Sequence, residues 1–108
     1  MAIYCFDLDG TLCTTEGSEY EKSTPKSHRI AVVNDLYSKG HHIKIFTARG
    51  GSSGRDWSEL TQNQLKEWGV LHHELILGKP AADIYVDDKA SSDISFFSHA
   101  DTNEQLSD

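Results

Sequence analysis

A small doubly wound parallel α/β fold is predicted for this chain, with helices on both faces of the sheet, and three features of the sequence predict it. Short apolar runs at 2–6, 43–46, 75–77 and 84–86 read as strands buried within a sheet. Stretches with helical apolar spacing lie between the first three runs, as crossover connections require. Acidic, hydroxyl and basic residues stand just after the runs, where the crevice of an open parallel sheet forms. At 108 residues the chain makes one domain, 1–108, with one modest core.

Residues 2–6 (AIYCF) give the first strand, and 7–23 turn polar and read as loop. Thr24-Pro25 reads as a helix start, since proline suits the first helical position. Ile30, Val33, Leu36 and Tyr37 then follow at helical spacing to a stop at Gly40. After the strand at 43–46 comes TARGGSSG (47–54), a Gly/Ser-rich loop closely flanked by periodic segments. Trp57, Leu60, Gln64, Leu65 and Trp68 mark a second helix with its tryptophans in the core, ended by Gly69. Ser91 or Ser92 caps a last short helix through Phe96 and Phe97. Beyond His99 the polar tail is expected to fray.

The formal net charge of −7 argues against a broad grip on nucleic acid, which needs clustered Lys and Arg. A phosphate substrate would then rely on a metal ion and a few placed cations. No apolar run approaches a transmembrane span, and two aspartates arrive by position 9 where a secretory leader would be apolar. Cys5 and Cys13 make no disulfide framework, and Cys5 reads as a buried thiol. The expected location is the cytoplasm. The pairs His41-His42 and His72-His73 read as surface histidines, because neighbours on an extended chain point opposite ways.

The chemistry concentrates in four places. In Asp7-Leu8-Asp9-Gly10-Thr11 the carboxylates at i and i+2 project to one side of an extended segment. Such a pair repels unless a cation or a proton intervenes, and magnesium takes oxygen ligands of this kind. Thr47 brings a hydroxyl and an N–H that can hold a phosphoryl oxygen. Lys79 brings a compact positive charge. Asp87-Asp88 offers a second acidic pair after 84–86. Acid pair, hydroxyl, lysine and acid pair thus occur in order, each after its own apolar run.

This set, DLDGT, FTARG, GKP and YVDD, resembles the four motifs of the haloacid dehalogenase superfamily over residues 3–89. The stretches IKIFTARG, DWSELTQNQLKEWGV and ELILGKPAADIYVDDKA resemble the small phosphatases of capsule and surface-polysaccharide biosynthesis. The resemblance implies a magnesium-dependent phosphatase. Asp7 would attack phosphorus and form an aspartyl phosphate. Asp9 would protonate the leaving alkoxide and then deprotonate the hydrolytic water. Thr47 and Lys79 would stabilise the transferring group. Asp7, the carbonyl of Asp9, and Asp87 would hold Mg2+, with Asp88 a second ligand or orienter.

Gly10, Ala48, Arg49 and Arg55 are candidate substrate contacts, and the loop 14–23, with Glu16 and Tyr20, is a candidate flap. Only a loop and one helix fit between Asp9 and Thr47, and one helix between Thr47 and Lys79, so no cap domain is expected. An open site of that kind suits a large substrate, or a small one enclosed in a homo-oligomer. The expected partner is a small phosphorylated metabolite, a sugar or polyol, with neither nucleic acid nor membrane involved. A nucleotide or nucleic-acid end phosphatase, a phosphotransferase, and a non-catalytic phosphate- or magnesium-binding module remain as alternatives, with the acidic balance counting against the nucleic-acid version. Intact Asp7 and Asp9 weigh against the last.

Overall fold

The computed structural model describes residues 1–50 and 55–106, so the GSSG stretch of the 47–54 loop lies outside the described residues. Strands β1 (Ile3–Asp7), β4 (His42–Thr47) and β5 (Glu74–Leu77) form a parallel sheet in the order β1-β4-β5. The expected parallel α/β class is the one found. Two-residue strands β2 (Cys13–Thr14) and β3 (Thr24–Pro25) form a separate antiparallel ribbon, in which Cys13 faces Pro25.

Helix α1 (Ser27–Ser38) links β1 to β4, and α2 (Ser58–Glu67) links β4 to β5. Both end where the sequence indicated, and Gly40 and Gly69 take up the left-handed turn at φ 91° and 69°. α1 begins after Pro25 rather than at it. Pro25 lies in β3, where a missing N–H is tolerated, and the helix starts at Ser27. Short helix α3 (Asp93–Phe96) is capped by Ser92, whose hydroxyl accepts from the Ser95 N–H at 3.2 Å.

Alternation along the strands sets the layers. Ile43, Ile45 and Thr47 are fully buried, while His42, Lys44 and Phe46 between them are half-buried. Parallel register places Tyr4 beside Ile43, Phe6 beside Ile45, and Leu75 on the far side of Ile45. Ile30 and Val33 of α1, Leu65 of α2 and Phe97 all join this one core, and Phe96 of α3 meets the rings of Tyr4 and Phe6 at 6.1 and 5.5 Å. On the other face Ile3 and Cys5 are exposed, so the buried thiol is Cys13 and not Cys5. Cys5 fails the expectation because odd positions of β1 point away from the core.

Two further expectations are corrected. The run Ile84-Tyr85-Val86 is not a strand. It lies in an exposed segment, with Ile84 79% and Val86 93% exposed. Residues 100–106 do not fray but continue α4 (Ser98–Leu106), which packs on α1, and the last two residues of the expected frayed tail lie outside the described residues. Among the described residues no helix is long and apolar enough to cross a membrane.

Candidate active site

Three strand ends build the site. Asp7 closes β1, Thr47 closes β4, and Lys79 follows β5 by two residues. Because β4 pairs in parallel with both neighbours, these ends emerge at one edge of the sheet. The Lys79 N–H donates to the Thr47 carbonyl at 3.0 Å, which brings its side chain back toward β1. Lys79 Nζ stands 3.4 Å from Asp7 Oδ1, and Thr11 Oγ1 donates to Asp7 Oδ2 at 3.4 Å. The lysine ammonium also lies 4.1 Å from the Tyr85 ring centroid and 6.0 Å from that of Phe46. Asp7 remains about a third exposed, at 35%, so a ligand can reach its carboxylate.

Asp9 has a different set of partners. Arg49 forks onto it, with Nε donating to Oδ2 at 3.0 Å and Nη2 to Oδ1 at 2.8 Å. Thr15 Oγ1 adds a bond to Oδ1 at 2.6 Å. Burial pushes the Asp9 carboxyl up, but the bonds from Arg49 and Thr15 outweigh it and hold the group below the usual carboxylate range. Asp9 is therefore ionised at neutral pH, and the two carboxylates do not share one partner.

Arg49 is buried and its donors are spent inside the protein. Nη1 donates to Gln64 Oε1 at 2.6 Å and to Thr61 Oγ1 at 3.1 Å, and Nη2 also reaches Ser23 Oγ at 3.4 Å. The Tyr20 ring lies 4.8 Å from its guanidinium carbon. Arg49 thus holds Asp9 and α2 together rather than facing a ligand, contrary to the expected substrate contact. Replacing it by methionine removes the buried cation that the half-buried Asp9 carboxylate, Thr61 and Gln64 share. The Arg49→Met variant is expected to lose about 3–5 kcal/mol of stability, seen as a lower urea midpoint. An unmoved midpoint would contradict the network.

The remaining candidates fall at varied distances from the chemistry. Thr47 is fully buried, and its hydroxyl accepts the Arg49 N–H at 3.2 Å, so it organises the β4 end instead of presenting a hydroxyl. Gly10 donates its N–H to the Cys13 carbonyl at 2.9 Å, and Ala48 is half-buried. Arg55 is exposed. It stacks 3.9 Å over Trp57, lies 3.8 Å from Glu21, and lines a cavity of about 300 Å³ with Arg49, Gly50, Asp56, Trp57, Leu77 and Gly78. Residues of the candidate flap are anchored in part. Tyr20 packs edge-on to Trp57, and its carbonyl accepts from Gln64 Nε2 at 2.6 Å, while Glu16 is exposed.

The second acidic pair is not brought in. Asp87 and Asp88 sit on the exposed segment that follows Lys79, and Asp87 Oδ1 accepts the Lys89 N–H at 2.9 Å. They miss the sheet edge because 84–86 forms no strand to carry them there. Among the described residues no group of three or more His, Cys, Asp or Glu is placed to hold a metal ion. With Asp7 against Lys79, Asp9 against Arg49 and Asp87 apart, the donor set implied for Mg2+ is not assembled in this arrangement.

Sequence reasoning missed Thr15, Ser23 and Thr61, which complete the cradle of Asp9 and Arg49. One signal was present. Gln64 stands at a core position of α2, and a buried amide needs a partner.

No family model matches the chain, and no curated protein does. Among solved structures, an MCSG target protein from Vibrio cholerae aligns over 100% of both chains at 24% identity, with a TM-score of 0.79. A chain of the Pnkp1/Rnl/Hen1 complex aligns with 81% of this chain and 30% of its own length, at 19% identity and a TM-score of 0.58. A chain of the Pnkp1/Rnl/Hen1 RNA repair complex covers 95% of this chain and 31% of its own length, at 15% identity and a TM-score of 0.57. These likenesses are of fold.

Proposed function

We propose that the chain is a phosphomonoester hydrolase of the haloacid dehalogenase type that carries the phosphoryl group on Asp7. The observation supporting this most is the half-open Asp7 carboxylate at a parallel strand end, with the Lys79 ammonium 3.4 Å away. An Asp7 oxygen attacks phosphorus, the ester P–O bond breaks, and the departing alkoxide takes a proton from solvent water, which the half-open site admits. Water then attacks the phosphorus of the aspartyl phosphate, and inorganic phosphate leaves with Asp7 restored. Lys79 offsets the negative charge gathered between carboxylate and phosphoryl oxygens.

Asp9 suits the second half of this reaction. Held ionised by Arg49, it can accept the proton of the attacking water. The same low pKa weighs against Asp9 as the acid that protonates the leaving group.

A small phosphorylated sugar or polyol is the proposed substrate, on the strength of the narrower resemblance, and the cytoplasm the proposed location. The acidic balance of −7 weighs against nucleic-acid ends, although two fold neighbours come from assemblies that include Pnkp1, Rnl and Hen1. The test is phosphate release from a panel of sugar, polyol and nucleotide monophosphates, run with magnesium and with chelator. Release led by sugar or polyol phosphates supports the reading, and release led by nucleotides would move the substrate class. No release from any of them by the folded protein would favour a binding module or a transferase.

A further inference from the structure

A buried cation links the nucleophile's turn to the C-terminal helix. Arg29 on α1 is 4% exposed, yet its guanidinium reaches three separate segments. Nε and Nη2 fork onto Asp101 of α4 at 3.0 and 2.7 Å, and Nη1 donates to Asp93 of α3 at 2.8 Å. Nη1 also donates to the carbonyl of Thr11 at 3.1 Å. The Phe97 ring lies 4.9 Å from the guanidinium carbon, and His28 Nε2 lies 2.8 Å from Asp101 Oδ1. Thr11 is the residue whose hydroxyl donates to Asp7 Oδ2.

We propose that Arg29, fixed by Asp101, is a positioning residue for the Asp7–Thr11 turn, which makes α4 a working part of the site. The proposal rests on the reading of Asp7 as nucleophile. A planar guanidinium bound bidentately has one allowed orientation, so the carbonyl it holds is fixed relative to α1. The backbone of the turn is otherwise tied mainly to itself, with Thr11 N–H and Leu12 N–H both donating to the Leu8 carbonyl at 3.1 and 2.8 Å. Loss of the Asp101 fork leaves Arg29 short of compensation and drawn toward water, away from Thr11. Small displacements of a reacting group are costly in rate even when binding survives.

The test pairs Asp101→Asn with Arg29→Lys in the full chain and uses Thr102→Ala, on the exposed side of α4, as control. Two readouts are taken on folded protein: the amide resonances of Gly10 and Thr11, and kcat and KM measured separately. Both variants are expected to shift those amides and to lower kcat about 10-fold with KM changed less than about twofold, as for a misplaced reacting group. The control is expected to do neither. A fall in thermal midpoint with amides and kcat unmoved would overturn the proposal and leave Arg29 a stability residue. Shifted amides with unchanged kcat would overturn it too. If Arg29→Lys fails to fold, Asp101→Asn decides by the same readouts. Should Asp7→Asn retain turnover, the nucleophile reading fails by itself, and the amide shifts still report whether Arg29 holds the turn.

Discussion

Asp7→Asn is expected to abolish turnover while leaving the fold intact. The substitution keeps the shape of the side chain and its place at the end of β1, but an amide cannot attack phosphorus and carry it as an acyl phosphate. Asp7 contributes little to packing, since it is partly exposed and its polar partners are Thr11 and Lys79. Thermal unfolding of the variant should therefore match the parent within about 1 kcal/mol, as for substitutions away from the core. Loss of activity without loss of fold separates a chemical role from a structural one. If the variant kept most of its phosphate release, another group would be the nucleophile, and the site would have to be sought elsewhere.

Lys79→Ala is expected to lower kcat at least ~100-fold, the scale seen when one preorganised charge-stabilising group is removed. Two observations make this lysine more than a surface cation. Its backbone N–H is held by the Thr47 carbonyl, and its side chain is only 16% exposed between Asp7 and the Tyr85 ring. The ammonium is thus fixed before substrate arrives, and its effect should fall mainly on kcat. A larger change in KM than in kcat would recast Lys79 as a ground-state binding group. An unaltered rate would remove it from the site altogether.

How far the sequence could be read differs from one element to the next, and the reasons are physical. The runs at 2–6, 43–46 and 75–77 were legible from their apolar content. Only β4 is central in the order β1-β4-β5, however, and the exposed Ile3 and Cys5 of β1 show that an apolar run alone does not report burial on both faces. Helix stops were legible at Gly40 and Gly69, where a positive φ follows the last turn. The 84–86 run shows the limit of that logic. Its composition suits a strand, but strand formation depends on a partner edge that no local pattern specifies, and here these residues lie exposed.

The tail failed in the opposite direction. Its polar sequence gives no strong apolar face, and α4 is held instead by Asp101 meeting Arg29, 72 residues away in the chain. The rule that strand ends converge did bring Asp7 and Lys79 together, 3.4 Å apart. Arg49 was misread for an understandable reason. Its place two residues after Thr47 suggests a ligand contact, whereas its partners Asp9, Thr61 and Gln64 come from two other segments and enclose it. Buried charge pairs of this kind are written in the three-dimensional fold, and only Gln64 left a trace in the sequence.

The most direct test of the central claim is to look for the phosphoryl group on Asp7. The protein would be mixed with an excess of the best phosphomonoester from the panel, quenched in acid within the first turnover, digested and examined by mass spectrometry. The account predicts a phosphoryl adduct on the peptide carrying Asp7, absent from Asp7→Asn. Steady phosphate release with no adduct on that peptide, under a quench shown to preserve acyl phosphates, would contradict it.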